Sequence, residues 1–172
     1  AISPQGFSDK HAFAEHVHQQ YLQWQKERVD VGILSINLST HQFLQGNLVE
    51  RVGAILEEVG MPAYALGIEV TESAAMPNFD YSITALRQLR EMGVRIYIDD
   101  FGTGQSSLSQ LHTLPVDELK IDKGFVIPMM EDSAKELLTS TTIELAHKFG
   151  LTVVAEGVEN QYSMFRLAHY GC

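Results

Sequence analysis

Apolar residues along this chain recur in two alternating rhythms, one of three to four residues and one of two. Across residues 10–27 the positions Phe13, Val17, Tyr21 and Trp24 fall on one face of a helix. Across residues 33–38 the rhythm shortens. Ile36 and Leu38 lie on one side and Ser35, Asn37 and Ser39 on the other, as in a half-buried strand. Leu48, Val52, Ile55, Leu56 and Val59 restore helical spacing, and Gly60 before Met61-Pro62 supplies a left-handed cap and a stop. The same reading predicts strands over 67–72, 94–100, 118–122 and 152–155. Helices are predicted over 80–92, where Ile83, Leu86 and Leu89 turn inward, and over 131–149 and 160–170, closed by Gly93, Gly150 and Gly171. Strands separated by amphipathic helices pair in parallel through right-handed crossovers, giving either a doubly wound sheet or a barrel. No linker interrupts the alternation and no residue-level repeat runs through it, so residues 1–172 read as a single domain.

Composition narrows the function classes. The 22 acidic residues against 12 Lys and Arg give a formal charge of −10, which repels a polyanion and argues against DNA or RNA as partner. The sole cysteine, Cys172, excludes internal disulfides and cysteine-based metal sites, and suits a reducing, cytoplasmic setting. Apolar runs are short, so this segment is expected to make no membrane contact. The first residue is Ala and not Met, which leads us to expect a piece cut from something longer.

The chemistry collects at the carboxyl ends of the predicted strands. In order these carry Asn37, then Glu69 and Glu72, then Asp99 and Asp100, then Lys120 and Asp122, then Glu156 and Glu159. In parallel α/β folds those ends converge on one face. Any one such carboxylate could be a helix cap or a solvated rim group. Five consecutive strands ending this way is a different pattern. Glu69, Asp99, Asp100 and Glu156 brought together would repel, unless one takes up a proton or a cation sits among them. Oxygen-only donors with no Cys or His at any strand end select hard cations such as Mg²⁺, Mn²⁺ or Ca²⁺. Adjacent aspartates can serve two ions when one carboxylate bridges, the arrangement that clamps a phosphoryl group, so phosphodiester hydrolysis is the natural candidate. Leu119 and Ile121 point away from the side of Lys120, which directs its ammonium into the acidic face, as a counter-ion or as a group acting on water and phosphate. The Gly102, Thr103, Gly104 segment after the third strand allows a tight turn, with Ser106 or Ser107 as the cap of a following helix. The seven histidines fall away from the strand ends and receive no ligand role.

At these residues the sequence resembles the EAL domain family of bacterial cyclic di-GMP phosphodiesterases. The likeness rests on Ser-Ile-Asn-Leu-Ser at 35–39, Glu-Val-Thr-Glu-Ser at 69–73, Ile-Asp-Asp-Phe-Gly-Thr-Gly at 98–104, Leu-Lys-Ile-Asp at 119–122 and Ala-Glu-Gly-Val-Glu at 155–159. It runs from about residue 12 to 172. The resemblance implies a (β/α)₈ TIM-like barrel of which five strands are represented here. It implies opening of cyclic di-GMP to linear pGpG with Mg²⁺ or Mn²⁺, two ions in all. Asn37, Glu69 and Asp99 are similar to the ligands of one ion, and Asp99 bridges to a second held by Asp100 and Glu156. Lys120 resembles the residue that contacts the attacking water, which makes Lys120, Glu156 and Asp100 the implied catalytic groups. Glu72 resembles the anchor of the substrate loop beginning at Gly102, Thr103 and Gly104, a loop tied in the family to a homodimer. Asp122 and Glu159 resemble supporting groups behind the ligands. Sensory or GGDEF-type domains outside this chain are the implied accessories.

The family's Glu-Ala-Leu strand, whose glutamate is a metal ligand, would precede Ala1, and its Gln-Gly-Tyr strand would follow Cys172. The expectation is therefore a truncated EAL domain. A domain that has lost catalysis and serves as a cyclic di-GMP receptor or protein-interaction module is the alternative.

Overall fold

The structure is a computed structural model that describes residues 20–24, 26–27, 32–43, 46–102 and 111–172. Of the helix expected over 10–27, residues 20–24 are helical with Tyr21 buried, and residues 10–19 lie outside the described set. Thr103, Gly104, Ser106 and Ser107 also lie outside it.

Five strands form one parallel sheet in sequential order: β1 (Leu34–Leu38), β2 (Leu66–Thr71), β3 (Arg95–Phe101), β4 (Glu118–Ile121) and β5 (Thr152–Ala155). A doubly wound sheet would reverse strand order at a switch point. The unreversed order, with helices between strands, is that of a partial (β/α)₈ TIM-like barrel. The main helices are α1 (Thr40–Phe43), α2 (Leu48–Val59), α3 (Glu72–Ala75), α4 (Phe79–Glu91), α5 (Lys123–Val126), α6 (Ser133–Lys148) and α7 (Gln161–Tyr170).

Burial follows the period of two. Ile36, Leu38, Ile68, Val70, Ile96, Ile98, Leu119 and Ile121 are buried beneath the helices. Each such side chain contributes roughly 1.5–3 kcal/mol by leaving water. The other face carries Asn37, Glu69, Tyr97, Asp99 and Lys120, so the sheet has one apolar side and one chemical side. Tyr97 floors the chemical side. Its ring lies across β2 so closely that a Cβ on Gly67 would stand 2.5 Å from Cε2.

The helix stops fall where the glycines predict. Gly60 closes α2 at φ 64° and Gly171 closes α7 at φ 92°. Two strands give way to helix one residue earlier than expected. Glu72 is not the last residue of a strand: Thr71 accepts a hydrogen bond from the Ala74 N–H and caps α3, so Glu72 opens that helix. Asp122 likewise leaves the strand and caps α5, its Oδ1 accepting from the Gly124 N–H at 2.8 Å. Both acids lie one residue past a strand that converts at once into a helical turn.

Candidate metal centre

Side chains of consecutive strand residues normally project to opposite faces, so Asp99 and Asp100 would be kept apart by a regular β3. The β3–β4 pairing contains an irregularity that removes the conflict. Ile98 pairs with Leu119 and Phe101 with Ile121, so two residues of β3 oppose Lys120 alone. Asp100 takes up the extra residue at φ 54°, the only positive φ outside glycine among the described residues. Its N–H donates to Asp99 Oδ1 at 3.0 Å, which fixes the turn. The slip returns Phe101 to the buried face and leaves both carboxylates at the same strand end.

Asp99, Asp100 and Glu156 consequently each offer a carboxylate oxygen, all within 4.8 Å of one another. Glu156 follows β5, where its N–H donates to the Ile121 carbonyl at 3.0 Å. Beside this trio stands a second group. In β1 and β2, Asn37 and Glu69 are register partners, and Asp99 pairs with Thr71 one step further on. With its nitrogen turned inward, the Asn37 amide donates to Glu69 Oε2 at 3.2 Å and to Asp99 Oδ2 at 3.3 Å. The opposite amide orientation would present an oxygen ligand instead. Asp99 belongs to both groups.

Lys120 is the cation among these acids. Its Nζ lies 2.7 Å from Glu156 Oε1, 3.0 Å from Glu69 Oε2 and 3.1 Å from Asp99 Oδ1. Burial acts to lower its pKa, and the hydrogen bonds to Glu156, Glu69 and Asp99 outweigh it, holding the ammonium above the ordinary lysine range. One ammonium cannot balance Glu69, Asp99, Asp100 and Glu156. Asp100 carries the imbalance: burial first, then the charges of Asp99, Asp122 and Glu156, push its carboxyl above the usual carboxylate range.

That direction fixes a sign. A carboxylate whose folded-state pKa is raised destabilises the fold where it is ionised, and the penalty fades as pH falls through the raised value. Asp100→Asn is therefore expected to raise the melting temperature of the metal-free protein near neutral pH, with the gain shrinking as pH falls through the raised value. Asn also tolerates the left-handed backbone there. Thermal melts in EDTA across pH check it; a fall in stability at neutral pH would contradict the assigned repulsion.

A third set of contacts ties the β2–α3 junction to the segment after β3. Glu72 is buried at 2% exposure, and its Oε2 accepts from the Gly102 N–H at 2.9 Å. Gly102 has φ 99°, and a Cβ there would stand 2.8 Å from the Phe125 ring. Lys135 on α6 also meets this ring, its Nζ 4.2 Å from the Phe125 centroid. Gly102→Ala should cost roughly 1–3 kcal/mol, since both backbone conformation and ring contact oppose it. Adding Phe125→Leu should recover only part of that loss in a chemical melt, because the positive φ remains strained.

The structure thus brings together Asn37, Glu69, Asp99, Asp100, Lys120 and Glu156, and sets Glu72 beside Gly102. Asp122 serves as a helix cap and adds its charge to Asp100. Glu159 is exposed in the turn before α7, and among the described residues no contact ties it to the cluster. Phe125 and Tyr97 were not singled out by the sequence. Phe125 gave no signal, whereas the position of Tyr97 on the Asp99 side of β3 was readable from alternation.

Carboxylates, an amide and an inward ammonium at the carboxyl ends of parallel strands define a (β/α) barrel domain with an oxygen-donor centre. The chain belongs to the EAL domain family, whose profile matches residues 9–172. It is 44% identical over 140 residues, 81% of its length, to the bifunctional diguanylate cyclase/cyclic di-GMP phosphodiesterase MucR of Pseudomonas aeruginosa, covering 20% of that protein. It is 40% identical over 139 residues, again 81% of its length, to the cyclic di-GMP phosphodiesterase NbdA of the same organism, covering 18% of it. The solved MucR phosphodiesterase in complex with c-di-GMP superposes with a TM-score of 0.86 at 39% identity, over 95% of this chain and 66% of that one. The manganese and c-di-GMP complex of Klebsiella pneumoniae BlrP1 superposes at 0.79 and 26% identity, over 96% of this chain and 43% of that one. The chain spans about a fifth of the length of the curated relatives it matches. Among the described residues no helix is long and apolar enough to cross a membrane.

Proposed function

We propose that this domain hydrolyses cyclic di-GMP to linear pGpG with Mg²⁺ or Mn²⁺ in bacterial cytoplasmic signalling. The observation that carries the reading is the bulge in β3, which gathers Asp99 and Asp100 with Glu156 in a chain of the EAL family. The donor set fits the metals: every donor is oxygen, and the carboxylate charge exceeds what Lys120 balances. Asn37, Glu69 and Asp99 would hold one ion and Asp99, Asp100 and Glu156 the other. When bound, the ions would supply positive charge to the phosphoryl oxygens and ease deprotonation of the attacking water.

The chain's own residues do the rest. Asp99 joins the two halves of the centre, so its position sets their separation. Lys120 holds Glu69, Asp99 and Glu156 in one arrangement, and its permanently charged Nζ is placed to orient water and to offset charge developing on phosphate. Glu72 holds the Gly102 N–H, which fixes where the substrate loop of Gly102, Thr103 and Gly104 departs from β3. Attached sensory or GGDEF-type domains complete the proposed setting, supported by the multidomain length of the relatives and the diguanylate cyclase named in MucR, and the family resemblance adds a homodimer.

The test is incubation with cyclic di-GMP and Mn²⁺, following pGpG by chromatography, beside an EDTA control and the same chain extended at both ends. Product in Mn²⁺ and none in EDTA supports the reading. Binding of cyclic di-GMP without product from either protein would favour a receptor, and neither binding nor product would overturn both.

A further inference from the structure

A second polar site lies at the opposite end of the sheet from the acidic centre. A cavity of about 330 Å³ opens where β3 and β5 begin, lined by Arg90, Arg95, His112, Asp117, Phe149 and Thr152, with Leu114 and Val116 behind them. Asp117 organises it. Its N–H donates to the Ile96 carbonyl at 2.9 Å, and its carbonyl accepts from the Thr152 N–H at 3.1 Å, so its backbone is fastened to β3 and β5. Its carboxylate is consumed: Oδ2 accepts from the Ile96 N–H at 2.9 Å and Oδ1 takes Arg90 Nη2 at 2.9 Å. Arg90 is therefore held in place at the rim with further N–H groups to give. His112 is set against Phe149, ring centroids 5.1 Å apart at 66°.

The charge balance here is the reverse of the rest of the molecule. Asp117 is the only acid among the described lining residues, and Arg90 already neutralises it. Among the described residues Arg95 forms no ion pair, so it adds a positive charge, and His112 adds a donor, in a chain whose formal charge is −10. Two guanidinium groups and an imidazole on one cavity match an oxyanion with several acceptor oxygens and more than one negative charge, which is phosphate chemistry before carboxylate chemistry. The volume is near the lower end for small-molecule pockets, about 300 Å³, and leaves room for a small polar body carrying the phosphate. We propose that this cavity binds the phosphate group of a small phosphomonoester, at a site separate from the acidic centre and on the opposite end of the strands.

The experiment records arginine Nε and imidazole NMR signals of the whole chain during titration with inorganic phosphate and, separately, ribose 5-phosphate. The expected result is saturable shifts at Arg95 and His112, at least tenfold tighter for ribose 5-phosphate. Arg95→Gln should weaken that binding at least tenfold with the backbone amide spectrum otherwise preserved, as the exposed side chain permits. Asp99→Asn should leave it unchanged, which separates this proposal from the phosphodiesterase reading. Equal affinity for the two probes would reject the phosphomonoester and assign free phosphate. Shifts that never saturate, or that persist in Arg95→Gln, would overturn the site.

Discussion

Asp99→Asn is expected to abolish Mn²⁺-dependent hydrolysis of cyclic di-GMP, by about 10³-fold or more, while the protein remains folded. The size follows from its place: Asp99 faces Asn37 through one carboxylate oxygen and Lys120 through the other, and also belongs to the trio with Asp100 and Glu156. In the proposed centre two cation positions depend on Asp99, so its loss removes more than one ordinary electrostatic contact, itself worth about 10²–10³-fold. The amide has the same shape, and Lys120 keeps Glu69 and Glu156 as partners, so no buried charge is orphaned. Initial rates with circular dichroism melts on the same samples check it. Undiminished activity would remove Asp99 from the centre.

Lys120→Met should act on stability before anything else. The substitution leaves Glu69, Asp99 and Glu156 facing one another without the ammonium that now lies within 3.1 Å of each. Breaking a buried ionic group by removing one partner costs about 3–5 kcal/mol. For a domain of this size that is a fall of roughly 10–15 °C in melting temperature. Because the folded-state pKa of Lys120 is raised, the pairing is fully present below the ordinary lysine value and is lost only as pH rises through the folded one. The penalty should therefore be flat between about pH 6 and pH 9. Mn²⁺ should restore most of the lost stability by supplying the missing positive charge, with hydrolysis still impaired. Melts with EDTA and with Mn²⁺ make the comparison; a metal-free variant as stable as the parent would contradict the charge balance described.

Periodicity carried the architecture because the buried face is strictly alternating: Ile36 and Leu38, Ile68 and Val70, Ile96 and Ile98, Leu119 and Ile121 each step by two. Strand-end polarity likewise pointed to the side chains that the structure gathers, Asn37, Glu69, Asp99, Asp100, Lys120 and Glu156, whereas Asp122 at another strand end is a helix cap. The bulge was not read. A regular strand would turn Asp100 toward the buried face, and the one visible sign of a slip is Phe101, an apolar residue out of phase. Glu72 and Asp122 were read as strand residues because the conversion from strand to helix takes a single step, with Thr71 or Asp122 itself as cap. The contact of Gly102 with Phe125 joins residues 23 apart in sequence through ring packing, which no local pattern encodes.

Ligation of divalent cations by Asp99, Asp100 and Glu156 is measured directly as Mn²⁺ uptake, followed by the electron paramagnetic resonance of free Mn²⁺. Uptake by the parent chain should saturate and be at least tenfold weaker in Asp99→Asn. Equal uptake by the two proteins, or none by either the parent chain or its extended form, would contradict it.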